Sequence, residues 1–261
     1  MKGIVRAIGL RAVWVAALAC LLGACAPQDA GVLRIAAAVS LREPLDKIAA
    51  RFDEGDPVRV QLSYGATSDL AAQLRAGAPL DVLLSADEEI PRELQAEGVA
   101  TDLRPFATNR LLVIASEAAA PLVRKPSDLI GDAVRRFALP GPSVPLGHYA
   151  REWLARVDLL STLLPRIVQT EHARATLAAV ESGSADAAIV YVTDARVATS
   201  ARVAFQIPDD EQPKIVYVAL RAKASKQVDA AERFLASLAD AESTQVLLDT
   251  GFGVPGATPA R

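Results

Sequence analysis

From Val32 to the end, the chain alternates short apolar runs with amphipathic stretches, and this order constrains the fold more than any other feature. Strands are expected at 32–38, 58–64 and 81–86, each followed by a helix, at 41–55, 68–77 and 88–98. Gly55 and Gly77 close the first two helices, and Pro91 sits in the first turn of the third. The second half continues with strands at 110–116, 135–140, 166–169, 186–192 and 214–222. Its helices fall at 147–157, 172–183, 227–240 and 242–251. Strands that alternate with helices make mostly parallel sheets covered on both faces, an α/β architecture. The stretch "DAAIVYV" (186–192) is almost continuously apolar, as such a doubly covered strand must be. There is no internal repeat and no low-complexity linker, so a division into two lobes has to be made by strands that cross between them.

The first segment departs from this pattern. "MKGIVRAIGLRAVWVAALACLLGACAPQ" opens with Lys2, Arg6 and Arg11, continues with an apolar run from Ala12 to Leu22 and ends in small residues. That order is a secretory signal. The run is too short for a lone membrane helix, which needs about 20 apolar residues. "LGAC" is similar to a bacterial lipobox, which makes Cys25 the expected lipidated cysteine and "APQDAG" its tether. Both cysteines of the chain, Cys20 and Cys25, lie here, so no disulfide or thiol chemistry is expected in the folded part. Cleavage removes three positive charges and no negative ones, which lowers the formal net charge from −3 to −6. An acidic protein without a Lys/Arg run gives no support to a nucleic-acid partner, and its overall field does not draw anions.

Enzyme chemistry has little to stand on. The two histidines, His148 and His172, have no metal-ligand spacing, and there is no G-x-S-x-G elbow, Walker loop or G-x-G-x-x-G. Each histidine lies near a helix start, where an exposed or capping side chain is ordinary. Asp53, Glu54 and Asp56 cluster in a helix-end turn, the usual place for a solvated face.

The positive signal sits at the strand-to-helix junctions. Ser40 ends the first strand and forms an S-x-x-E capping box with Glu43. "YGATSDL" puts Thr67 and Ser68 at the second junction, "PLGHYA" puts Leu146 and Gly147 at another, and "TEHARAT" puts His172 and Ala173 at a fourth. A helix N-terminus leaves backbone N–H groups unpaired and carries partial positive charge. Several that converge hold an anion without lysine or arginine. Each hydroxyl taken singly reads as a plain N-cap; the set of four points to a ligand.

These residues also carry a resemblance. "AAAVSLREPLDKIAARF" followed by "SYGATSDLAAQLRAGAPLDVLLSAD", then "PSVPLGHYAREWL" and "AAVESGSADAAIVYVTDA", resembles in order and spacing the periplasmic molybdate-binding proteins of bacterial ABC importers, from about Val32 to the end. The resemblance implies a class II periplasmic binding protein fold: two α/β lobes, each with a mostly parallel sheet flanked by helices, joined by two crossover strands. With the leader read above at 1–24 and its tether at 25–31, the resemblance implies a first lobe at 32–108 and again at 217–261, and a second lobe at 109–216. It implies a molybdate site of neutral donors: the hydroxyls of Ser40 and Thr67, the backbone N–H groups of Leu146 and Ala173, and the hydroxyl of Tyr191.

The implied function is capture of molybdate, with tungstate expected too, and delivery to an ABC permease. The implied receptor is a periplasmic, lipid-anchored monomer with no resident cofactor and no directly ligated metal cation. This sequence departs from the family at Ala66, where a second serine is common, at Thr67, which adds a methyl group, and at Leu146, which replaces a smaller residue. The alternatives are a receptor for another oxyanion such as sulfate, a receptor for a small organic anion, and an enzyme on the same fold. A site made only of donors favours a fully deprotonated oxyanion, because a bound proton finds no acceptor, and this argues against hydrogen phosphate.

Overall fold

A computed structural model describes residues 31–256. The expected leader, Cys25 and nearly all of the tether lie outside the described residues. The chain begins with β1 (Val32–Ala38), a 3₁₀ turn at Val39–Leu41, α1 (Arg42–Gly55), β2 (Arg59–Gly65), α2 (Thr67–Arg75), β3 (Val82–Ser85), α3 (Glu89–Ala96) and β4 (Ala100–Asn109). It continues through β5 (Leu111–Ala115), β6 (Phe137–Pro140), α4 (Pro145–Arg156), α5 (Leu160–Leu163), β7 (Ile167–Thr170), α6 (Ala173–Glu181), β8 (Ala187–Tyr191), α7 (Val192–Arg196) and β9 (Arg202–Gln206). It ends with β10 (Ile215–Ala222), α8 (Val228–Ser237) and α9 (Ala241–Asp249).

Two five-stranded sheets result, one ordered β2-β1-β3-β10-β4 and the other β7-β6-β8-β5-β9. In the first, β1 pairs parallel with β2 and β3, while β10 runs antiparallel to both of its neighbours. In the second, β6 pairs parallel with β7 and β8, while β5 runs antiparallel to β8 and β9. The odd strand in each sheet is the one entered from the other lobe. β4 passes into β5 through Arg110 alone, and β9 returns to β10 across residues 207–214. This is the two-lobed fold with crossover strands that the sequence resemblance implied.

Period-two alternation explains the layers. Leu33, Ile35 and Ala37 of β1 face α1, α8 and α9, whereas Ala36 faces α2 and α3. In the second sheet, Leu111, Val113, Ile189 and Tyr191 face one layer, and Leu112, Ile114, Ala188 and Val190 face α6 and α7. Both faces of these strands are buried, so both sets of alternating side chains are apolar. Burial of each Leu, Ile or Val contributes about 1.5–3 kcal/mol.

Two strands have no counterpart in the sequence reading. β4 carries Pro105 and lies at a sheet edge, where a missing N–H breaks no second ladder; its pairing with β10 also shifts register twice. β9 is the edge of the other sheet and largely exposed, so its side chains lack a clean apolar alternation. Among the described residues, no helix is long and apolar enough to cross a membrane.

Candidate anion-binding cleft

The carboxyl ends of the central strands of both sheets meet at one small cavity of about 20 Å³. This end of an open α/β sheet is where ligands bind. Ser40, Thr67, Leu146, Ala173 and Tyr191 all line it, with Gly65, Ala66, Ala86, Val144 and His172 among their neighbours. The five residues come from five separate junctions, and the two lobes bring them together. Ser68 does not line the cavity; its hydroxyl lies at the surface, 3.5 Å from Asp69 Oδ1.

Ser40 does not cap a helix. A 3₁₀ turn intervenes after β1, so the N-cap of α1 is Leu41, and no side chain caps it. The capping box expected from Ser40 and Glu43 is therefore absent. The extra turn displaces Ser40 from the cap position into the cleft and points Glu43 at the other lobe. Ser40 Oγ lies 2.9 Å from the Tyr217 hydroxyl, a residue 177 positions away.

That bond belongs to a network that includes Asn109. Asn109 Oδ1 accepts from the Arg110 N–H at 2.9 Å, which fixes the amide orientation. Asn109 Nδ2 then donates to the Tyr217 oxygen at 3.3 Å and to Thr193 Oγ1 at 3.0 Å. The Tyr217 oxygen keeps a second lone pair, so either hydroxyl can be the donor of the Ser40–Tyr217 bond, and the Ser40 hydrogen is available to the cavity when Tyr217 donates. Such a chain polarises each bond along it. Burial pushes the Tyr217 hydroxyl well above the usual tyrosine range, so it stays a donor.

Thr67 follows the same logic. It is the first residue of α2, behind Ala66 as N-cap, and is buried. Its Oγ1 accepts from the Ala86 N–H at 3.1 Å, so its hydrogen is free to point elsewhere. Tyr191 ends β8, and its hydroxyl is wholly buried with no hydrogen-bond partner among the described residues. An unpaired buried hydroxyl costs about 1–3 kcal/mol. Burial, reinforced by the nearby tyrosines Tyr217 and Tyr149, also raises its pKa far above normal and keeps it protonated.

Leu146 and Ala173 contribute main chain. Leu146 is the second residue of α4, and its side chain is buried in the core. The first α4 N–H that finds a main-chain acceptor is that of His148, to Val144 at 2.9 Å. Gly147 lets this helix end pack tightly: an added Cβ would stand 2.1 Å from the Gly141 carbonyl oxygen and 2.7 Å from that of Pro140. Ala173 is the first residue of α6, where His172 is the N-cap and its Nδ1 accepts from the Ala175 N–H at 3.1 Å. Exposed His148 lies along the first turns of α4.

Of the helix starts at the cavity, those of α2 and α4 have no side-chain cap. Their leading N–H groups remain donors. Among the described residues, no Lys, Arg, Asp or Glu side chain lines the cavity. Phe106, Phe252 and Tyr191 pack edge-on around Tyr217 at ring-centroid separations of 6.4, 5.3 and 6.0 Å and form its apolar backing. The sequence reading missed Asn109 and Tyr217. Both lie in strands with no local mark of function, and only the lobe crossover brings them to Ser40.

Two buried carboxylates stand near the cleft. Burial pushes Asp87 up to about 6, against hydrogen bonds from the Ser85 hydroxyl (3.0 Å) and the Ile90 N–H (3.1 Å). Burial also pushes Asp194 up to about 6, although Arg174 opposes the shift.

Two lobes joined by crossover strands, with a donor-lined cavity where their sheet ends meet, define a solute-binding protein. Residues 33–253 match the bacterial extracellular solute-binding protein family, and the chain belongs to it. This family serves transport rather than catalysis. The chain is 31% identical over 213 residues to the molybdate-binding protein ModA of Escherichia coli, covering 77% of this chain and 81% of that one. It is 29% identical over 224 residues to the putative ABC transporter substrate-binding lipoprotein YvgL of Bacillus subtilis, covering 84% and 85%. Its fold is similar to the solved Azotobacter vinelandii periplasmic molybdate-binding protein, with a TM-score of 0.75 and 25% identity over 87% of this chain and 100% of that one.

Proposed function

We propose that this protein is a periplasmic, lipid-anchored receptor that captures molybdate, and tungstate with it, and delivers the anion to an ABC permease. The observation that carries the reading is the lining of the cavity. The hydroxyl side chains of Ser40, Thr67 and Tyr191 and the starts of α2, α4 and α6 line one place that, among the described residues, has no Lys, Arg, Asp or Glu. A tetrahedral dianion with all its oxygens deprotonated matches that set. A hydrogen-bonded anion replaces lost hydration, and bonds to a charged acceptor are about twice as strong as neutral ones. The relatives named for molybdate and for a lipoprotein support the ligand and the anchor. Ser40, Thr67, Leu146, Ala173 and Tyr191 hold the oxyanion, and Cys25 carries the lipid.

The test is a thermal-shift and calorimetric screen of molybdate, tungstate, sulfate, phosphate and chromate. A ligand at 1,000 times its dissociation constant adds about 4 kcal/mol of stability. Molybdate and tungstate should shift the protein alike, with sulfate weaker by several factors of ten. Sulfate binding as tightly as molybdate overturns the ligand assignment. A Cys25→Ser chain that stays in the membrane fraction overturns the anchor.

A further inference from the structure

An ion pair spans the lobes beside the cavity. Glu43 stands in the first turn of α1, three residues past Ser40, and it accepts from the Arg174 guanidinium. Arg174 stands in the first turn of α6, next to Ala173. Its side chain is 19% exposed and that of Glu43 is 34% exposed. On the inner side, Arg174 Nε lies 2.7 Å from Oδ1 of Asp194, which is 0% exposed and sits three residues after Tyr191. Neither Asp194 oxygen receives a well-aligned hydrogen bond, so it is the charge of Arg174 that offsets its burial.

The two carboxylates have different jobs. Asp194 and Arg174 belong to the same lobe, and a buried carboxylate stripped of its only ion-pair partner among the described residues is strongly disfavoured. Arg174 therefore stays with the second lobe in any state. Glu43 belongs to the first lobe and reaches Arg174 only when the lobes are together. On opening, Glu43 returns to water at the N-terminus of α1, a favourable place for a carboxylate. Arg174 does not face the anion: the cavity has no cationic lining, and a cation in the first turn of a helix opposes the helix dipole. Its position is explained by what it grips on either side.

We propose that Glu43, Arg174 and Asp194 form an inter-lobe clasp that holds the cleft shut over its anion and sets the rate at which the anion leaves. The proposal takes its ligand from the molybdate reading above; its geometry is independent of that reading. A contact made only in the closed form stabilises that form with or without ligand, and it appears mainly in the dissociation rate.

The test uses Glu43→Gln, which keeps the shape and removes the charge. Molybdate release, followed by stopped-flow fluorescence, should be about tenfold faster, with association changed less than twofold. Because Arg174→Met alone leaves Asp194 uncompensated, the partner variant is Arg174→Met with Asp194→Asn. It should release at the rate of Glu43→Gln, and adding Glu43→Gln to it should change nothing further. An unchanged release rate in Glu43→Gln overturns the clasp, as does a full Glu43 effect in the partner background. If the parent binds no molybdate, the functional reading fails on its own, and the clasp is judged by small-angle scattering of the ligand-free proteins. The Glu43→Gln protein should then have the larger radius of gyration, and equal radii overturn it.

Discussion

The two lobes face the same cavity with different chemistry. The first presents side chains: the Ser40 hydroxyl, bonded from behind to that of Tyr217, and the Thr67 hydroxyl, which accepts from the Ala86 N–H and keeps its hydrogen to give. The second presents mostly main chain, the helix starts at Leu146 and Ala173, with the single hydroxyl of Tyr191 between them. A hydroxyl donor is lost with its side chain, whereas a backbone donor survives any substitution that leaves the backbone in place. The same function is therefore fragile in one lobe and tolerant in the other, except where the second lobe's backbone itself is constrained.

The largest effect should come from that exception. Gly147→Ala drives a methyl group against the Pro140 and Gly141 carbonyl oxygens. Overpacking of this kind costs about 1–3 kcal/mol, and it moves the α4 start that carries the Leu146 N–H. Molybdate affinity should fall at least about a hundredfold, measured by calorimetry with a parallel melt. A variant that binds like the parent would mean that the second lobe's main chain is not a donor.

The buried carboxylates come next. The folded-state pKa of Asp87, about 6, lies above its ordinary value of 3.8. The unfolded chain releases this proton first, so the contribution of Asp87 to stability is present at low pH and is lost as pH rises from about 4 to 6. Asp87→Asn keeps acceptors for the Ser85 hydroxyl and the Ile90 N–H and removes the titration. Relative to the parent, it should gain about 2–3 kcal/mol between pH 4 and pH 7 in denaturant melts. A pH-independent difference would show that Asp87 is not held in an apolar setting.

Tyr191→Phe deletes the one side-chain donor of the second lobe and leaves the ring. It should weaken molybdate binding by about 1.5–3 kcal/mol, the worth of a hydrogen bond to a charged group. The ligand-free protein should be no less stable, because the hydroxyl has no partner to lose. Ser40→Ala should cost somewhat less, about tenfold in affinity, with about 1 kcal/mol of ligand-free stability from the broken bond to Tyr217. Leu146→Met should change affinity least, by less than about twofold, since a volume-conserving swap in the core leaves the backbone in place. A large loss there would put the Leu146 side chain, not its N–H, in the site.

How legible each part was depends on the range of the forces involved. The positions of β1 to β3, of β8 and of the longer helices could be read because apolar period and turn residues act within a few positions of one another. β4 and β9 could not, because a proline at an edge and an exposed edge strand both lack that period. The five proposed binding residues could be placed at strand ends by pattern and by family resemblance. The reading of Ser40 as a cap failed because a 3₁₀ turn at Val39–Leu41 shifts the helix start by one residue, to Arg42 with Leu41 as its N-cap.

By itself, then, the sequence determined the alternation that forces two covered sheets and the small or hydroxyl residues at their carboxyl ends. Only the tertiary structure decided which groups stand behind each hydroxyl. Tyr217 and Asn109 join Ser40 in one hydrogen-bond network from 177 and 69 positions away, and Arg174 meets Glu43 across 131. Secondary structure is settled by local hydrogen bonds and a short repeat. Donor satisfaction is an accounting over the whole folded chain, which closes only once both crossover strands are in place.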